Sequence, residues 1–141
     1  MKWYFATRTK NAGLVKKISE VLESRGHEVS FDWTKYGKIR LSDEPACRDV
    51  AEKISRAIME SDVFVLISDS SGTDMYTEKG IAIANAYHMS KPRIYAVGEH
   101  NKRSVMHLHP SIKHMSLREV FAKECPEIRF SEFEIDYDIL K

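Results

Sequence analysis

Cysteine is scarce in this chain. Cys47 and Cys125 stand far apart, a spacing that fits neither a disulfide framework nor a structural zinc site. Both are expected to be reduced thiols of a cytoplasmic protein. Long apolar runs are also missing: the longest covers about five residues, far short of a membrane span. The opening MKWYFATRTK enters a strand-like run at once and lacks the apolar core of a signal peptide. An excess of charge of one sign is absent as well. The net charge of +1 gives no reason to expect a nucleic-acid polymer or a membrane surface as partner. Nor does the chain carry the GxxxxGK[ST] phosphate loop, a GxSxG elbow or an HExxH helix. No metal site and no cofactor are expected.

What is present is an ordinary globular composition, 43% hydrophobic and 30% charged over 141 residues, enough for one core. Residues 1–141 are read as a single domain, with 126–141 as a C-terminal tail. In that tail Phe130, Phe133, Ile135 and Tyr137 alternate with polar residues, a pattern that suits either an added strand or an interface segment.

Apolar runs and helical spacings alternate along the rest. Lys2 to Ala6 reads as a first strand, followed by a helix carrying Leu14, Ile18, Val21 and Leu22. Glu28 to Trp33 reads as a second strand. Asp43 or Ser42 caps a helix with Cys47, Ala51, Ile54 and Ile58 on one face. Val63 to Ile67 is a third strand, Met75 to Met89 a helix, and Arg93 to Val97 a fourth strand. A fifth strand is expected near His114, before a last helix over Ser116 to Lys123. This order predicts an α/β fold: a doubly wound, mostly parallel five-stranded sheet of flavodoxin-like order 2-1-3-4-5. Its topological switch point lies between strands one and three. The ligand pocket is therefore expected between the loops Thr7 to Asn11 and Ser68 to Thr77.

The second loop is the most informative stretch. Ser70, Ser71, Gly72 and Thr73 offer hydroxyls and backbone N–H groups at a helix start, a ready site for an anion or a sugar. Glu78 follows in or just past the first helical turn, where the helix dipole favours its ionised form. A carboxylate so placed suits nucleophilic attack on a sugar's anomeric carbon. Asp69, at the strand end, is a candidate ligand contact, or a proton donor if its pKa is raised. Asp74 reads as a helix cap. Arg8 and Lys10 in the facing loop are candidate phosphate contacts. Trp33, Tyr36 and Tyr76 are placed to stack on a planar base or to finish the core.

These residues resemble the nucleoside 2-deoxyribosyltransferase superfamily, which includes the 2'-deoxynucleoside 5'-phosphate N-hydrolases. The resemblance rests on Gly72-Thr73 followed by Glu78-Lys79-Gly80-Ile81-Ala82, on Tyr4-Phe5-Ala6 with its polar exit loop, and on Lys91-Pro92 before strand four. It implies that Glu78 attacks C1' of a nucleoside or nucleotide and that Tyr4 orients it. It implies that Thr7 and Arg8 of the first loop, with Ser70 to Thr73, hold the sugar or its phosphate. It also implies a homodimer or higher homo-oligomer in which a neighbour completes each pocket. Two positions depart from the family pattern. Its helix aspartate falls at Ile54, and the aspartate two residues before Gly-Thr falls at Ser70, with Asp69 one place earlier. Both bear on how the base would leave, and they motivate the alternative of a non-catalytic nucleotide-binding module on the same fold. The Thr7 to Asn11 loop also faintly resembles a flavodoxin phosphate loop, although a lysine stands where that loop wants glycine.

Overall fold

The computed structural model describes residues 1–136. Five parallel strands form one sheet in the order β2-β1-β3-β4-β5. These are β1 (Lys2–Ala6), β2 (Glu28–Val29), β3 (Val63–Ile67), β4 (Arg93–Val97) and β5 (Ile112–His114). The helices between them are α1 (Ala12–Ser24), α2 (Glu44–Glu60), α3 (Asp74–Met89) and α4 (Leu117–Glu124). The single α/β domain and its strand order are those that the alternation of apolar runs predicts.

β1, β3 and β4 are continuous apolar runs because helices cover both faces of the sheet. Alternate residues serve opposite faces. Trp3, Phe5, Val63, Val65, Ile67, Tyr95 and Val97 pack with α1 and α4. Tyr4, Ala6, Phe64, Leu66, Ile94 and Ala96 pack with α2 and α3. Both α2 and α4 start on side-chain caps: Asp43 accepts from the Ala46 amide, and Ser116 and Glu119 form a reciprocal capping box.

The second strand is shorter than its pattern suggests. It pairs with β1 only at Glu28 and Val29. The chain then leaves the sheet edge and turns through a 3-10 segment, Trp33–Lys35, which the Asp32 carboxylate fixes by accepting from Thr34. The Trp33 indole donates to the Phe5 carbonyl at 2.9 Å, so this aromatic finishes the core edge. The tail forms neither an added strand nor a free segment as far as it is described. A second 3-10 segment, Phe130–Phe133, lays Phe133 on Phe121 with ring centroids 4.1 Å apart. Tyr137 lies outside the described residues.

Candidate active site at the two flanks of α3

β3 ends in the loop that opens α3, and that loop needs glycine. Gly72 has φ +111°, and a Cβ there would stand 2.9 Å from Met75 Cε and 3.3 Å from Arg8 Cγ. Gly72→Val is therefore expected to cost about 1–3 kcal/mol through a strained backbone, read from denaturant unfolding curves.

The loop is also tied to its neighbour after β1. Thr7 Oγ1 donates to the Ile67 carbonyl at 3.1 Å and accepts from Asn11 Nδ2 at 2.8 Å. Arg8 donates to Ser71 Oγ at 2.6 Å and pairs with Asp69 at 3.4 Å. Lys10 pairs with the second Asp69 oxygen. Ser70 Oγ and the Ser71 amide turn to Asp69 Oδ1 at 3.4 and 3.2 Å. Asp69 is only 5% exposed. Lys10, the Ser71 amide and Arg8 together hold its carboxyl well below the usual carboxylate range, against the opposing effect of its burial. The proton-donor reading of Asp69 is corrected accordingly: a donor needs a raised pKa, and these cations lower it. Its observed work is to lock the two loops together, which occupies Arg8 and Lys10.

Thr73 is the residue preceding the first turn of α3, but its side chain makes no capping bond. Its hydroxyl lies 3.4 Å from Asp74 Oδ1. Asp74 is the first helical residue rather than the cap that its position suggested. It complements the helix dipole from within the first turn.

Glu78 lies one turn on, half-buried. It opens into a cavity of about 340 Å³ between α2, α3 and the chain before α2, lined by Ile39, Leu41, Ile54, Asp74, Thr77 and Ile81 among others. Burial pushes its carboxyl up to about 7, neighbouring Tyr4 opposes that rise, and the Asp74 charge adds to it. The helix dipole was expected to keep Glu78 readily ionised. Desolvation wins instead, since it acts directly on the carboxylate in an apolar pocket. Tyr4 is wholly buried on β1. Its hydroxyl stands beside the Glu78 carboxyl without completing a hydrogen bond of ordinary geometry. Burial and then the Glu78 charge raise its pKa well above that of an ordinary tyrosine, so it remains a proton-bearing donor facing the carboxylate.

The sequence places all the candidate residues in one pocket, but the structure divides them. Ser71, Gly72 and Tyr76 line a different cavity of about 500 Å³ with Lys79, Gly80, Arg103, Ser104, Met106 and His107. Within α3, residues 74, 77, 78 and 81 share one flank and residues 76, 79 and 80 the other. The Tyr76 hydroxyl donates to the Asp69 carbonyl at 2.5 Å, and its ring meets His107 edge-on at 5.1 Å. Tyr76 thus braces the loop instead of offering a free stacking face. The sequence alone gives Lys79 and Arg103 no role in a site, and offers His107 only as a metal ligand beside His109, for which no acidic partner pattern exists. A signal existed for Lys79, which shares the buried side of α3 with Met75, Ala82 and Ile83. A lysine on a core-facing stripe is a departure worth reading.

No protein-family model matches this chain, and no curated protein matches it in sequence. Among solved structures, it is similar to a CMP N-glycosidase from Clostridium botulinum, BcmB. The TM-score is 0.56 at 15% identity, over 82% of this chain and 88% of that one. At that identity the likeness establishes the shared fold.

Proposed function

We propose that this protein cleaves the N-glycosidic bond of a (deoxy)ribonucleoside or its 5'-monophosphate, with Glu78 as nucleophile. The observation that carries the reading is a half-buried carboxyl, pushed up to about 7, facing a cavity beside the buried Tyr4 hydroxyl. The shared fold with a CMP N-glycosidase supports it, as does the sequence resemblance around Glu78.

The chemistry runs in two displacements. The ionised Glu78 attacks C1', and the C1'–N bond breaks with its electron pair leaving on the base. A glycosyl ester on Glu78 remains, and water or a second base then displaces it. Tyr4 donates toward the carboxylate and fixes its orientation. Ile54 lines this cavity where the resembled family carries an aspartate. Among the described lining residues, Asp74 is the carboxyl besides Glu78, and it is assigned to holding the base by accepting its N–H groups, while the departing base takes its proton from water. The same reading carries the expectation of a homodimer whose neighbour completes the pocket.

The pH dependence follows from Glu78. A nucleophile must be ionised, so turnover is expected to rise as pH increases through about 7. A pH–rate profile that is flat across that range would speak against Glu78. The direct test is base release, with free bases separated by chromatography after incubation with nucleosides and 5'-monophosphates. Release that is lost in Glu78→Ala supports the reading. Saturable nucleotide binding without release would move it to a non-catalytic binding module, which the apolar Ile54 beside Glu78 favours.

A further inference from the structure

The larger cavity, on the flank of α3 away from Glu78, has a charge balance of its own. Lys79 is 3% exposed and His107 is 3% exposed. Lys79 Nζ stands 3.4 Å from His107 Nδ1, and Ser104 Oγ stands 2.7 Å from the same nitrogen. Lys79 also lies over the Tyr76 ring at 5.4 Å. Among the described residues no carboxylate pairs with Lys79, and none lines this cavity. The nearby Asp69 carboxylate is already matched by Lys10 and Arg8. Arg103 spends one N–H on the Asp69 carbonyl at 3.0 Å, and a guanidinium has further donors. His107 Nε2 is buried without a partner.

A buried ammonium without a counter-charge is costly, and an anionic ligand would supply the charge it lacks. Here two cations converge with the hydroxyls of Ser71 and Ser104 on a cavity of about 500 Å³, large enough for a small metabolite. We propose that this cavity is a second ligand site, separate from the Glu78 cavity, that takes a dianionic phosphate, free or as the phosphate end of a nucleotide. Lys79 and Arg103 supply the opposing charge, and the Ser71 hydroxyl, which accepts from Arg8, donates to a remaining oxygen. Burial lowers the Lys79 pKa, and a bound dianion favours its charged form.

The site is independent of turnover at Glu78, and its test reads binding alone. Inorganic phosphate is titrated calorimetrically at fixed ionic strength into the wild type, Glu78→Gln, Lys79→Met and Arg103→Gln. Each variant is first checked for a cooperative melt. The expected result is saturable binding to the wild type and to Glu78→Gln. Affinity should fall about tenfold or more in Lys79→Met and Arg103→Gln, the loss of one charge-assisted contact each. Lys79→Met also removes a buried charge, so it is expected to fold. A wild type that binds no phosphate, or binding unchanged in both cavity variants, overturns the proposal. A second arm uses adenosine 5'-monophosphate with Glu78→Gln as the background. If adding Lys79→Met weakens it as well, the phosphate belongs to a nucleotide. If only inorganic phosphate responds, the site takes the free ion.

Discussion

Replacing Glu78 with glutamine is expected to slow base release by about a thousandfold or more, as loss of a nucleophile does. The same substitution is expected to stabilise the protein at neutral and higher pH. The Glu78 carboxyl sits at about 7 in the folded chain against an ordinary 4.5. The folded state therefore favours the protonated form. Stability that this group contributes is present below about pH 4.5 and is lost as pH rises through about 7. Glutamine is neutral throughout. Glu78→Gln should thus gain up to about 3 kcal/mol near pH 8 and almost nothing near pH 4. Thermal melts at the two pH values check this. A group that is costly to the fold yet kept at the cavity has the signature of an active-site residue. Equal stability of variant and wild type at high pH would deny that Glu78 is desolvated, and with it the electrostatic part of the mechanism.

The second large effect concerns the other face of the sheet. Phe121 on α4 is 1% exposed. It stacks on Phe133 at 4.1 Å and tilts against Trp3 at 5.8 Å and Phe130 at 6.2 Å. Phe121→Ala is expected to cost about 3–5 kcal/mol, the transfer term plus the cavity left behind. For a chain of this size that lowers the melting temperature by about 10 °C or more. The loss should also loosen the tail, because Phe130 and Phe133 have this ring as their shared neighbour. Hydrogen exchange at Ser131 and Glu132 should rise in the variant well before the sheet amides respond. A tail that stays protected would show that its seat does not depend on Phe121.

The central strands were legible because their sequences carry two faces at once. Lys2 to Ala6, Val63 to Ile67 and Arg93 to Val97 are apolar at both parities, and each is covered on both sides. The edge strand was less so. Glu28 to Trp33 keeps a strand-like composition, but only two residues reach β1 before Asp32 turns the chain. The tail resisted for a related reason. Its alternation marks residues that pack, without saying whether they pack as a strand or as a 3-10 segment.

At the site, Glu78 and the loop Ser68 to Thr77 stood out from local chemistry and from fold topology alike. What local chemistry does not show is partnership. Arg8, Lys10 and Asp69 were each candidate ligand contacts, and in the folded chain they satisfy one another. Nor does a linear motif show that adjacent residues of one helix face different cavities. Glu78 and Lys79 are neighbours in sequence and open to opposite flanks of α3. Arg103 of the second cavity was missed because it comes from the irregular segment after β4, where no periodicity marks it.

The most direct test of the account is the intact mass of the protein after incubation with a 2'-fluoro-2'-deoxy analogue of whichever nucleoside or nucleotide it cleaves. The fluorine destabilises oxocarbenium-like charge and lets a covalent intermediate accumulate. The predicted result is a mass increase equal to the fluorinated sugar, located on the Glu78 peptide and absent in Glu78→Gln. An adduct on another residue, or base release with Glu78 unlabelled, would contradict the assignment of Glu78 as nucleophile.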